Sequence, residues 1–187
     1  MQLSSKGENE MRFESGLCVV RSWNPGDEDA LVREANNRKI WRNLRDGFPH
    51  PYTRRDGRDF LELVAAMDPE TYFCIEVKGE AAGAIGYTLS KDVERFSAEI
   101  GYWLGEEHWG RGIMTEALRA VTSHAVKAHN LSRVYAVPFD WNTPSFRVLE
   151  KAGYVREGRM RKAAYKDGQV VDELVFAFVV ENWRCHE

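Results

Sequence analysis

Cysteine is scarce in this chain. The three present, Cys18, Cys74 and Cys185, are odd in number and far apart, which excludes a disulfide framework and a zinc cluster built on paired cysteines. Cys18 and Cys74 sit in apolar, strand-like runs and read as small core residues, for which a reducing cytosol is the simplest setting. No apolar run approaches the length needed to cross a membrane. The polar opening, residues 1–10, lacks the apolar core of a signal peptide and reads as a disordered tail. An excess of basic charge is also missing. Lys and Arg number 26 against 29 Asp and Glu, a net charge of -3, which argues against a general nucleic-acid binder. Internal repeats and low-complexity linkers are lacking too, so residues 11–187 read as a single domain. Its 43% apolar and 29% charged content is that of a globular protein long enough to bury a core.

The periodicity of the apolar residues supplies the elements. Residues 17–23 read as a first strand, closed by Asn24-Pro25-Gly26. A helix follows from Asp27, with Ala30, Leu31 and Ala35 on one face. A short helix at 39–44 precedes the rigid aromatic loop Phe48-Pro49-His50-Pro51-Tyr52, which prolines keep out of any helix. Thr53 then opens a longer helix with Phe60, Leu61, Val64 and Met67 on one side. Strand runs at 71–77 and 81–90 flank a hairpin signal at Lys78-Gly79-Glu80, and 98–104 is a third consecutive strand. A helix whose apolar face carries Ile113, Ala117, Leu118, Val121, Ala125 and Val126 leads to a strand at 133–139. Thr143-Pro144 starts another helix, which Gly153 ends. Two last strands, 156–165 and 170–180, flank Lys166-Asp167-Gly168-Gln169. The basic run Arg156, Arg159, Arg161, Lys162 and Lys166 reads as a solvated strand face. This order predicts an α/β (α+β) fold with a mixed sheet, in which 98–139 forms a right-handed parallel crossover.

Between the strand at 98–104 and the helix from 113 lies Trp109-Gly110-Arg111-Gly112-Ile113-Met114-Thr115-Glu116. It is neither a mononucleotide P-loop, lacking Gly-x-x-x-x-Gly-Lys-Ser/Thr, nor a dinucleotide Gly-x-Gly-x-x-Gly turn. It is still a strand, a glycine turn and a helix start. The first amides of a helix have no partners within it, the helix dipole adds positive charge there, and glycine lets a ligand approach the backbone. The chemistry this predicts is phosphate or pyrophosphate binding. The plainer reading is a glycine pair that only joins two elements.

Two motifs carry a family resemblance over nearly all the chain from about residue 12. Ala98-Glu-Ile-Gly-Tyr-Trp-Leu104 followed by 109–117 resembles the acetyl-CoA pyrophosphate motif of the GNAT acetyltransferase superfamily. Asn142-Thr-Pro-Ser-Phe-Arg-Val-Leu-Glu-Lys-Ala-Gly-Tyr154 resembles its second motif, and both occur in the family's order. The RimJ/RimL-type branch, the N-terminal acetyltransferases of ribosomal proteins and their relatives, is the nearest in pattern. The resemblance implies a mostly antiparallel sheet of about seven strands flanked by helices. The chain departs from the superfamily at Trp109, where Gln or Arg is common, and at Met114, where Gly or Ala is common. It also has Leu149 where many members carry a tyrosine that protonates the departing thiolate.

On that resemblance, Gly110, Arg111, Gly112, Ile113 and Met114 cradle the pyrophosphate through backbone amides, with the Thr115 hydroxyl added. Arg111 pairs with phosphate or lies in solvent. Trp103 and Leu104 offer backbone groups to pantetheine while their side chains pack in the core. Asn142 suits a pantetheine amide and equally suits a helix cap. Ser145 stands in for the missing tyrosine as proton donor, or is a first-turn serine. Glu99, the carboxylate inside the strand leading to the loop, is the candidate base, or a charge on a solvated face. Asp172 and Glu173 are rival acids for the amine, and Tyr165 is placed in the acceptor pocket. His50 is incidental.

The implied reaction moves an acetyl group from acetyl-CoA to a primary amine by direct attack in a ternary complex, without a metal. Backbone amides would polarise the thioester carbonyl. An amine that must lose a proton makes activity rise with pH. A protein or peptide N-terminal amine is the favoured acceptor, since no compact acidic cluster suits a polyamine; a small-molecule amine, polyamine or antibiotic, is the alternative. A non-catalytic acyl-CoA sensor is the rival of another class. The implied setting is cytoplasmic, with no nucleic acid or membrane, as a monomer or homodimer.

Overall fold

The computed structural model describes residues 12–185; the tail expected at 1–10 lies outside them. Eight strands are present: β1 (Arg12–Glu14), β2 (Val19–Arg21), β3 (Tyr72–Val77), β4 (Glu80–Leu89), β5 (Ser97–Leu104), β6 (Arg133–Ala136), β7 (Val155–Lys166) and β8 (Gln169–Val179). The α-helices are α1 (Glu28–Ala35), α2 (Arg38–Trp41), α3 (Arg54–Ala65), α4 (Ile113–His129) and α5 (Thr143–Lys151). One sheet runs β1-β2-β3-β4-β5-β6-β8-β7. Each neighbouring pair is antiparallel except β5 and β6, which α4 connects as a parallel crossover.

The mixed sheet agrees with the expectation, but it has eight strands rather than about seven. The added strand is β1, whose three residues pair with β2 and are too few to show an alternating pattern. α3 stops at Ala65, so Met67 lies beyond its end. Elsewhere local chemistry sets the boundaries. Thr53 and Asp56 form a reciprocal cap at the start of α3, satisfying two amides that the helix cannot. The β3–β4 turn places Lys78 and Gly79 at φ 53° and 86°, and the β7–β8 turn places Asp167 and Gly168 at 51° and 81°. Consecutive positive φ values match the twist of a tight hairpin.

The two faces of the sheet are covered differently. α4 buries Ile113, Met114, Ala117, Leu118, Val121 and Ala125 in the main core, with Phe73, Ile85, Ile100, Val134, Leu149 and Phe176. α1, α3 and the loop between α2 and α3 cover the other face, where Leu31, Ala35 and Tyr52 pack with Phe48, Phe60 and Trp103. Along β5, Ala98, Ile100, Tyr102 and Leu104 join the first cluster and Trp103 the second, as alternation along a strand requires. Cys18 and Cys74 are buried free thiols, and burial pushes both thiols up. Among the described residues no helix is long and apolar enough to cross a membrane.

Candidate active site

β5 and β6 pair only from Ser97↔Arg133 to Glu99↔Tyr135 and then part. β5 stays with β4 as far as Gly83↔Leu104. The chain beyond β6 stays with β8, where Leu174 N donates to Pro138 O (2.9 Å) and Asp140 N to Asp172 O (3.0 Å). A gap therefore opens between two strands of one sheet, and β6 is shorter than the expected 133–139 because of it. Backbone polarity along the gap follows from the antiparallel ladder. Ser90 N donates to Ser97 O (2.9 Å) and Gly105 N to Ala82 O (2.7 Å). The odd-numbered residues of β5 thus spend their backbone groups on β4, and the even-numbered Ile100, Tyr102 and Leu104 turn theirs toward the gap.

This corrects one expected residue. Trp103 has its backbone on the β4 side, its carbonyl facing Gly83, and its side chain against Phe48 at 5.8 Å between centroids. Tyr102 takes its place at the gap. Leu104 keeps its position, but its carbonyl already accepts from Trp109 Nε1 (2.7 Å), a bond that fastens the glycine loop to the strand.

The glycine loop stands at the end of β5. Gly110 and Gly112 have φ of 74° and 81°, values that a side chain would strain. Gly112 is the N-cap of α4 and offers no side-chain cap. The first amide to find its helical partner is Glu116 N, which donates to Gly112 O (3.2 Å). Among the described residues, the amides of Gly110, Arg111, Gly112, Ile113, Met114 and Thr115 have no acceptor. A Cβ added at Gly110 would meet nothing within 4 Å, so the approach is open. Arg111 is exposed, while Ile113, Met114 and Thr115 are buried on the core side. Six unpaired amides at a helix start, with no carboxylate capping them, fit an anion as large as a pyrophosphate.

α5 brings the second motif to the same face. Asn142 accepts from Ser145 N through its side-chain oxygen (3.4 Å), so the capping role is real. Its Nδ2 group has no partner among the described residues. The Ser145 hydroxyl lies 2.8 Å from Tyr102 Oη. Burial pushes the Tyr102 phenol up, with the Ser145 hydrogen bond drawing it partly back, so Tyr102 stays protonated. Leu149 is fully buried in the core and contributes no polar group.

The opposite face of the sheet carries the acids. Glu99 on β5 and Glu173 on β8 meet at one guanidinium: Arg45 Nη2 donates to Glu99 Oε1 (3.1 Å) and Arg45 Nη1 to Glu173 Oε1 (3.0 Å). The Glu173 side chain is 7% exposed, that of Glu99 38% and that of Arg45 61%. Asp172, its neighbour on β8, points to the other side of the sheet. Both of its oxygens are committed, to Lys162 N (2.7 Å) and Arg159 Nε (2.5 Å), which hold its carboxyl below the usual range in that order. Asp172 fastens the irregular stretch of β7 between Met160 and Ala164. Tyr165 is 67% exposed and pairs with Val170 near the hairpin tip, away from Glu99 and Glu173. Of the rival acids, Glu173 is the one brought to Glu99.

The basic run on β7 is not wholly solvated. Lys166 is 2% exposed; its Nζ bonds Asp46 (2.7 Å) and lies 4.0 Å from the Trp41 ring centroid. In the aromatic loop Phe48 packs on Tyr52 and Trp103, the hydrophobic-plug reading, and His50 is exposed. Glu34, Glu107 and His108 bring possible metal-ligand atoms within 4.8 Å of one another.

Comparison with known proteins identifies the family. An acetyltransferase (GNAT) domain model matches residues 18–155. "Uncharacterized N-acetyltransferase YnaD" of Bacillus subtilis (strain 168) is 34% identical over 173 residues, covering 92% of this chain and 99% of that protein. The ribosomal-protein-serine acetyltransferase of Escherichia coli (strain K12) is 29% identical over 110 residues, 59% of this chain and 61% of that protein. Among solved structures, Mycobacterium smegmatis RimJ in complex with CoA-disulfide superposes with a TM-score of 0.79 at 26% identity, covering 92% of this chain and 87% of that one. With the domain model spanning most of its length and the fold matching, the chain belongs to the GNAT acetyltransferase family and is an N-acetyltransferase.

Proposed function

We propose that this chain moves an acetyl group from acetyl-CoA to the N-terminal amine of a protein or peptide. The observation that carries the reading is the row of unpaired amides from Gly110 to Thr115 at the mouth of the β5–β6 gap. Those amides, with Arg111, suit the pyrophosphate. The Tyr102 backbone and Asn142 Nδ2 suit the amides of pantetheine. When bound, acetyl-CoA supplies an acetyl carbon activated as a thioester.

The chain's residues do the rest. Glu99 and Glu173 hold the incoming ammonium and take its proton, freeing a lone pair to form the N–C bond as the C–S bond breaks. Ser145 then gives its hydroxyl proton to the departing thiolate, and the second proton that the nitrogen sheds on becoming an amide returns by way of water to restore the serine hydroxyl. Tyr102 makes that possible. With the Tyr102 O–H as donor to Ser145 Oγ, the serine proton is left free to point elsewhere. A positioned acid and base of this kind each contribute about 10²–10⁴-fold to a rate. Two relatives bear names specifying ribosomal-protein acetylation, and the acidic pair suits one ammonium rather than a chain of them.

A thiol-release assay with acetyl-CoA against peptides, polyamines and aminoglycosides tests the reading. The expected result is thiol release with free-amine peptides and an acetyl group located at their N-terminus by mass spectrometry. Release with small amines alone would contradict the peptide acceptor, and acetyl-CoA binding without release across the panel would favour a sensor.

A further inference from the structure

Arg45 sits where the proposed reaction needs the substrate's ammonium. Its two terminal nitrogens reach carboxylates on two strands that are not neighbours, Glu99 of β5 and Glu173 of β8. Glu173 is almost fully buried, and among the described residues Arg45 is its side-chain partner. A buried carboxylate without a counter-charge is costly, so an ionised Glu173 favours a cation beside it. The cation present is the more exposed member of the trio.

The segment around Arg45 is tied to its surroundings while the Arg45 side chain is 61% exposed. Asp46 is tied to Lys166 (2.7 Å), Arg38 to Asp167 (2.5 Å), and Phe48 N to Arg45 O (3.0 Å). The guanidinium therefore has solvent beside it to move into. The residue type also fits. Arginine stays charged and cannot act as an amine nucleophile, whereas a lysine here would present an acceptor amine to the thioester.

We propose that Arg45 is a place-holding cation, occupying the Glu99–Glu173 seat until the acceptor's ammonium displaces it. This rests on the acyl-transfer reading above and adds a specificity device to it. An acceptor must out-compete an internal cation, so a neutral or N-blocked peptide cannot open the seat. Removing the competitor must tighten amine binding, whereas a residue that recognised the acceptor would weaken it when lost.

The test is calorimetric binding of a short free-amine peptide, and of its N-acetylated twin, to the protein saturated with CoA, which permits no turnover. Arg45→Met is expected to bind the free-amine peptide about tenfold more tightly than wild type, because a seat freed of its occupant is fully competent. The acetylated twin should be unaffected, and adding Glu173→Gln should erase the gain. Arg45→Gln serves the same purpose should the methionine variant prove unstable in thermal unfolding. Unchanged or weaker free-amine binding in both variants would overturn the proposal. Wild type that releases thiol with peptides while these variants show no gain sinks the place-holder alone; wild type that releases none sinks the acyl-transfer reading as well.

Discussion

Tyr102 Oη lies 2.8 Å from Ser145 Oγ, joining the strand that lines the gap to the helix that opens beside it. This bond gives the proposed proton donor a fixed partner in a chain that has Leu149 where the GNAT resemblance implies a tyrosine. Ser145→Ala should lower turnover by about 100-fold or more, the range of a positioned proton donor. Tyr102→Phe should lower it about fivefold, the worth of one hydrogen bond near 1 kcal/mol, with the KM for acetyl-CoA unchanged. The double variant should match Ser145→Ala alone, because Tyr102 acts through the serine. Steady-state kinetics showing the two losses multiplying would mean that the residues act separately.

Gly112 joins backbone strain to ligand binding. At φ 81° a β-branched side chain costs about 1–3 kcal/mol, and relief of that strain would turn the unpaired amides out of their present orientation. Gly112→Val should therefore weaken acetyl-CoA binding at least about tenfold, as 1.4 kcal/mol or more does, measured by calorimetry. A variant that binds as tightly as wild type would show that the loop's conformation is not what holds the ligand.

Asp172 gives a prediction for stability rather than chemistry. Its carboxyl is held low by Lys162 N–H and the Arg159 guanidinium. A depressed acid contributes stability that is present above its unfolded pKa and lost as pH falls through the folded one. Asp172→Asn should lower the Tm near neutral pH, and the difference should close below about pH 4, the usual range of an aspartate. The KM for the amine should be unchanged. A raised KM with an unaltered Tm would return Asp172 to the acceptor site.

Much of the fold is legible in the chain. The glycine turn, the parallel crossover and the helix starting at Thr143 follow from periodicity and capping chemistry, which act within a few residues. The features that escape a sequence reading depend on distance. Tyr102 and Ser145 are 43 residues apart, Arg45 and Glu173 128 apart, and nothing local in Asn43-Leu44-Arg45-Asp46 announces a partner. Trp103 is misplaced by sequence because backbone direction alternates, and only the pairing with β4 fixes which residues face the gap. Lys166 reads as solvated because its burial depends on Asp46 and Trp41, which belong to another part of the fold. Choosing between Asp172 and Glu173 needs the face of β8, which one strand alone does not define.

At the centre of the proposed function, the amides from Gly110 to Thr115 receive the pyrophosphate of coenzyme A. Titrating acetyl-CoA into ¹⁵N-labelled protein tests this directly, amide by amide. The largest shifts are expected in this segment, accompanied by Tyr102 and the Asn142 side-chain amide. Saturable binding that leaves residues 110–115 unmoved, or no binding at all, would contradict it.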